Sequence, residues 1–199
     1  MTALAPEPET AELPLFPLHT VLLPGAPLQL QVFEPRYLDM VGRCMRAGTG
    51  FGVVRILQGA EAGKVSDMAH TGTSARITDF HPLANGLLGL SCLGERVFDV
   101  LDRRSESDGL VVAQVSWRPL PAPVSVPPEH RNLVTLLREL LPQLPSAYAR
   151  IPLHFEDAHW VGLRLLEILP LGAAQRQESL EQHDPIERLR WLASLLPAE

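Results

Sequence analysis

Pro119-Leu120-Pro121-Ala122-Pro123-Val124-Ser125-Val126-Pro127-Pro128 separates two halves of unlike pattern. Five of the chain's 19 prolines lie here. Each removes an amide donor and fixes φ, so the stretch stops a strand and stiffens a connector. Before it, short apolar runs rich in β-branched and aromatic residues predict strands at Leu13–Leu18, Leu28–Val32, Phe51–Leu57, Thr73–Leu83, Leu87–Leu93, Arg96–Leu101 and Leu110–Trp117. Asn85-Gly86, Gly94-Glu95 and Ser107-Asp108-Gly109 read as the turns between the later strands, Asn85-Gly86 being the strongest hairpin signal. One helix interrupts this half at Pro35–Ala47, with Tyr37, Val41, Cys44 and Met45 on one face. Many short strands with tight turns predict a barrel.

After the connector the period changes to that of helices. Leu133, Leu136, Leu137, Leu140 and Leu141 make an apolar stripe over residues 129–141, which Pro142 ends. Ala158–Leu169 carries only Arg164 and Glu167 as charges and so belongs inside a bundle. A helix over Ala173–Gln182 precedes a last one with a clear start: Asp184 as N-cap, Pro185 first, Glu187 third. Ile186, Leu189, Leu192 and Leu196 supply its buried face. The expected fold class is therefore α+β: a disordered tail at 1–12, a β-barrel subdomain with one inserted helix at 13–118, the connector at 119–128 and a helical bundle at 129–199.

Composition narrows the function classes. The chain has 199 residues, 46% of them hydrophobic, enough for a packed core. No apolar run reaches the roughly 18–20 residues of a membrane helix, and Met1–Glu12 has no basic or apolar leader region. Cys44 and Cys92 are the only cysteines, too few for a disulfide framework. The expectation is a cytoplasmic protein with reduced thiols and no membrane association. Net charge is -6. Residues 1–126 contribute 10 − 13 and residues 127–199 contribute 7 − 10, so each part stands at −3. Nucleic-acid binders draw most of their affinity from phosphate contacts by basic groups, and neither part is a basic module. Of the 17 cations 16 are arginine, Lys64 being the one lysine.

Several stretches approach catalytic motifs and fall short. Gly59 to Gly63 with Lys64 and Val65 has three residues between the glycines where a phosphate loop needs four, and no hydroxyl residue after the lysine. Gly89-Leu90-Ser91-Cys92-Leu93-Gly94 has its second glycine one residue late for a nucleophile elbow, so Ser91 and Cys92 read as alternating strand residues. His154, Glu156, Asp157 and His159 are ligand types, but the two histidines lie at i and i+5, about 140° apart on a helix. Asp157 reads equally well as a helix cap. The remaining histidines, His19, His70, His81, His130 and His183, read as surface or loop residues. No catalytic, metal or cofactor-binding residue is assigned, and no cofactor is expected.

Glu12-Leu13-Pro14-Leu15-Phe16-Pro17-Leu18, Thr20-Val21-Leu22-Leu23-Pro24-Gly25 and Leu28-Gln29-Leu30-Gln31-Val32-Phe33-Glu34-Pro35-Arg36-Tyr37-Leu38 together resemble the opening of the Lon protease N-terminal domain. Phe51-Gly52-Val53-Val54 is similar to that family's strand after the helix. Gly72-Thr73-Ser74-Ala75-Arg76-Ile77 and Gly94-Glu95-Arg96-Val97-Phe98-Asp99-Val100 resemble two of its later segments. Gln175 to Leu192 looks like its closing helices. The resemblance covers residues 12–196 and implies a PUA-like barrel, the pseudouridine-synthase and archaeosine-transglycosylase type, followed by a helical bundle. It also implies a non-catalytic, stand-alone substrate-binding module that recognises unfolded or degradation-destined proteins, lacking the ATPase and Ser-Lys protease parts. The expected partner is a protein or an unfolded polypeptide, and an apolar seam would equally suit a homo-oligomer. Aromatic anchors dominate such contacts, which singles out Phe155 and Trp160. Phe33, Glu34, Pro35, Arg36 and Tyr37 are read as structural: Pro35 starts the helix, Phe33 and Tyr37 anchor it in the core, and Arg36 pairs with a carboxylate such as Glu34. Two other functions stay open at this point: an enzyme site gathering His154, Glu156, His159 and a cysteine, and RNA binding through the barrel.

Overall fold

The computed structural model describes residues 10–61, 65–84, 87–145, 147–148 and 151–196. It forms two compact units, one built from residues up to Leu22 and from Leu28–Leu120, the other from Leu23–Pro27 and from Pro121 onward.

The first unit contains β1 (Thr10–Leu18), β2 (Pro27–Val32), α1 (Pro35–Ala47), β3 (Phe51–Gly59), β4 (Val65–Pro82), β5 (Leu88–Ser105) and β6 (Val111–Trp117). The sheet order is β2-β5-β4-β3-β1-β6, and β5 also pairs with β6. Five strands therefore form a ring, with β2 attached outside it. The ring is possible because β5 is long. Leu88–Asp99 pairs with β4, while Phe98–Ser105 pairs with β6. All pairings in the ring are antiparallel except β1 with β3, where Leu15 lies opposite Gly52. Leu13, Leu15, Val54, Met68, Phe98, Ala113 and Val115 form one buried cluster. Gly52 and Gly72 make room for Phe98: a Cβ on either would lie within 2.7 Å of its ring.

The sequence placed a turn at Gly94-Glu95, but β5 runs straight through it. Gly94 lies opposite Ala75, where the register with β4 slips. Glycine inside a strand pattern marks such an irregularity as readily as it marks a turn. Residues 10–12, assigned to the tail, begin β1 and pair with β6. The turn at Ser107–Gly109 is present: Gly109 has φ of 85° and its amide donates to the Glu106 carbonyl at 3.0 Å. Asn85-Gly86 and Lys64 lie outside the described residues. On α1, Tyr37, Met40, Val41 and Cys44 are buried, and Met45 is exposed, one position off the apolar face. Gly48 ends the helix in the left-handed region, and Thr49 donates to the Cys44 carbonyl at 3.0 Å.

In the second unit a 3-10 turn at Pro128–His130 leads into α2 (Arg131–Leu140), followed by α3 (Ala158–Ile168), α4 (Ala173–Glu181) and α5 (Pro185–Ser194). α3 packs against α2, α4 and α5, as its all-round apolar surface requires. Asp157 caps α3 by accepting the His159 amide at 3.1 Å, and Asp184 caps α5 by accepting from Ile186 at 2.8 Å and Glu187 at 3.3 Å. The connector is held: Val126 donates to the Glu156 carbonyl and Ala158 to the Val124 carbonyl. His130 is buried rather than exposed, drawn in where the chain turns into α2. Among the described residues no helix is long and apolar enough to cross a membrane.

Three arginines organise this unit. Arg164 is fully buried and donates to the carbonyls of Gly25 at 2.8 Å and Pro24 at 2.6 Å, which is why residues 23–27 belong here. It also lies 3.0 Å from Glu167, whose other oxygen accepts the Tyr148 hydroxyl. Arg176 donates to the carbonyls of Leu166, Glu167 and Leu169 at the end of α3. Arg188 does the same for Ser179 and Gln182 at the end of α4. A planar guanidinium with five donors satisfies the orphan carbonyls of a helix end better than an ammonium could.

Candidate functional site

The pleat of β2 sends Leu28, Leu30 and Val32 to one face and Gln29, Gln31 and Phe33 to the other. Phe33 therefore falls on the polar face. It is 56% exposed, and the expectation that it anchors α1 in the core is wrong. Of the two aromatics Tyr37 does that work, beside Met40, Val41 and Cys44: it is buried and stacks on Phe16 with ring centroids 4.1 Å apart, and Phe16 in turn meets Phe51 at 5.8 Å. Pro35 starts α1 as expected. Arg36 fixes the corner. It pairs with Glu34 at 2.8 Å, donates to the Gly109 carbonyl at 3.0 Å and lies 4.7 Å above the Tyr37 ring.

These residues border a cleft of about 380 Å³ lined by Phe16, Leu18, Gln29–Phe33, Glu34, Tyr37 and Glu61. That volume is within the range of ligand pockets, roughly 300–1,000 Å³. Its floor is the stacked Phe16 and Tyr37 pair, and Phe33 stands at its mouth. Among the described residues that line it Glu34 and Glu61 carry charge, and Glu34 is paired with Arg36. Glu61 accepts the His19 amide at 2.7 Å. Burial pushes the Tyr37 phenol up; the Arg36 charge works against this, and Glu34 and Glu61 add to it. The sequence reading singled out Phe33–Tyr37 but missed Phe16, Leu18, Gln29–Val32 and Glu61. The alternating Leu and Gln of β2 were the available signal, because they mark a strand with one face left to solvent.

Phe155 and Trp160 lie in the second unit and form a half-buried pair. Their rings meet edge to face at 5.2 Å, with the Arg138 guanidinium 3.9 Å over Phe155. His154 lies 6.2 Å from Trp160 on the exposed side. His154 and Glu156 line one cleft with Asp157 and Pro123–Ser125, and His159, in the first turn of α3, is not among its lining residues. Among the described residues no group of three His, Cys, Asp or Glu side chains could hold a metal. Ser91 and Cys92 alternate on β5 as expected: the Ser91 hydroxyl donates to Gln29, and Cys92 is buried. Burial pushes the Cys92 thiol up to about 12, and pushes Cys44 up as well. Neither is a thiolate at neutral pH.

The family model of the ATP-dependent protease La (LON) substrate-binding domain matches residues 12–197. The crystal structure of a Lon N-terminal domain protein from Xanthomonas campestris is similar at 42% identity and a TM-score of 0.80, covering 94% of this chain and 99% of that one. The N-terminal domain of the Mycobacterium avium complex Lon protease shares the fold at 19% identity and a TM-score of 0.65, covering 92% of this chain and 97% of that one. The protein cereblon from Xenopus tropicalis is 28% identical over 121 residues, 57% of this chain and 26% of cereblon, so the match spans about a quarter of that relative's length.

Proposed function

This chain belongs to the family of LON substrate-binding domains, and on that premise we propose that it holds unfolded or degradation-destined polypeptides and does no chemistry on them. One observation carries the reading beyond the family: a cleft floored by the Phe16 and Tyr37 stack with a large aromatic, Phe33, left exposed at its mouth. Aromatic anchors of this kind supply much of the energy of protein contacts. The Phe155 and Trp160 pair is a second contact under this reading, supported by its half exposure and the cation over its face. The two buried thiols, each free, support a reducing, cytoplasmic setting.

The test compares one model protein in two states, native and permanently unfolded by reduction and alkylation of its cysteines. Fluorescence anisotropy is expected to show saturable binding of the unfolded form only. Equal responses from both forms, or none from either, would remove the proposal.

A further inference from the structure

We propose that the bound polypeptide adds as an extended strand to the free edge of β2, with apolar side chains over Phe16, Tyr37 and Phe33 and a basic side chain towards Glu61. This rests on the substrate-binding reading and names the mode of capture. Among the described residues β2 ends the sheet order, with β5 as its strand partner. No residue of β5 lines the cleft, so the cleft lies on the side of β2 away from its partner. Five consecutive residues, Gln29 to Phe33, line it. A cavity on one face of a strand touches alternate residues; a cavity touching every residue in turn follows the edge, where amides and carbonyls project. Six residues give an edge about 20 Å long.

Sheet edges open to solvent are normally guarded by lysines, prolines or bulges. Pro27 guards only the start of β2, and Gln29, Gln31 and Phe33 on its outer face carry no charge. The edge is left competent to pair. Strand addition takes affinity from the main chain and reads side chains only at alternate positions. That suits a module whose substrates share exposed backbone rather than a common sequence. Of the two acids bordering the cleft Glu34 is already paired with Arg36, so Glu61 is the charge that favours a segment carrying arginine or lysine and disfavours an acidic one.

The experiment uses the full chain with a short peptide of alternating valine and threonine carrying one arginine. Two N-methylated versions block alternate amides in opposite registers. One register is expected to abolish binding and the other to leave it, with hydrogen-exchange protection at Gln29–Gln31. Replacing the peptide's arginine by glutamate, or making Phe33→Ala or Gln31→Lys, is expected to weaken binding about tenfold, about 1.4 kcal/mol, without lowering the melting temperature. Equal binding of both methylated peptides overturns strand addition, as does protection confined to Phe155–Trp160. Protection of β2 in a concentration-dependent dimer that peptide does not compete away also overturns it. In those cases capture of the unfolded model protein would still stand. Failure of the unfolded protein itself to bind would remove both.

Discussion

The two units solve the same problem, satisfying buried backbone, in different ways. In the barrel unit the strands satisfy one another, and β5 alone serves β4 with one half and β6 with the other. The interior cluster of Leu13, Leu15, Val54, Met68, Phe98, Ala113 and Val115 is apolar, and the buried polar side chains of β4 are the uncharged Thr71, Thr73 and Ser74. In the helical unit the elements are short, so many helix-end carbonyls lie close to the core. Arg164, Arg176 and Arg188 take up carbonyls of Pro24, Gly25, Leu166, Glu167, Leu169, Ser179 and Gln182. The difference teaches where each unit is vulnerable: the barrel to a change of volume, the bundle to the loss of a single charge.

Arg164→Met gives the largest effect. It leaves the Pro24 and Gly25 carbonyls without their donor and Glu167 buried without its cation. Breaking a buried pair in this way costs about 3–5 kcal/mol. Hydrogen exchange is expected to show the loss over α3 and residues 23–27, with β4 and β5 still protected. Adding Glu167→Leu removes the stranded acid and is expected to recover part of the loss. Uniform loss across β4, β5 and α3 would break the contrast between the units.

Gly72→Ala tests the other side. Its Cβ would lie 2.5 Å from the Val53 carbonyl oxygen and 2.6 Å from the Phe98 ring, so backbone and core must both give way. Overpacking of this kind costs about 1–3 kcal/mol. The expected readout is a lower denaturant midpoint together with faster labelling of Cys44 and Cys92, both buried in the barrel unit. An unchanged midpoint would mean the ring has slack that the close contacts at Gly72 deny.

Much of the barrel was legible because its signals are local. Apolar runs rich in β-branched and aromatic residues mark the strands, Pro35 and Gly48 bracket α1, and the two aspartate caps of the helical unit sit where the pattern puts them. The failures share a cause. Gly94 was read as a turn because the pairing that keeps β5 straight comes from β4, distant in sequence. Phe33 reads as a core anchor beside Tyr37 at the strand-to-helix corner, although the pleat of β2 puts it on the exposed Gln face. The role of the arginines was visible only as a bias, 16 against one lysine, because the carbonyls they serve come from Pro24 and Gly25 as well as from helix ends. The cleft escaped for the same reason: Phe16, Gln29–Phe33 and Glu61 meet only once the strands have paired.

The smallest effect separates the units by pH. The barrel's buried thiols are pushed up, Cys92 to about 12, so they stay protonated at neutral and acid pH and contribute no slope there. His159 in the bundle is pushed down, chiefly by burial and secondarily by the Arg188 charge, while Asp157 and Asp184 pull it back. Its unfolded value is about 6.5. Below that pH the unfolded chain takes up a proton that the folded bundle resists. The stabilising contribution is thus complete above about 6.5 and is lost as pH falls from there through the folded value. Urea melts from pH 7.5 down to pH 5, followed by hydrogen exchange, are expected to show α3 and α5 weakening while β4 and β5 hold. His159→Gln keeps a polar side chain and removes the titration, so it should flatten that slope. An equal slope in the variant would assign the acid sensitivity to another group and leave His159 as a spectator at the start of α3.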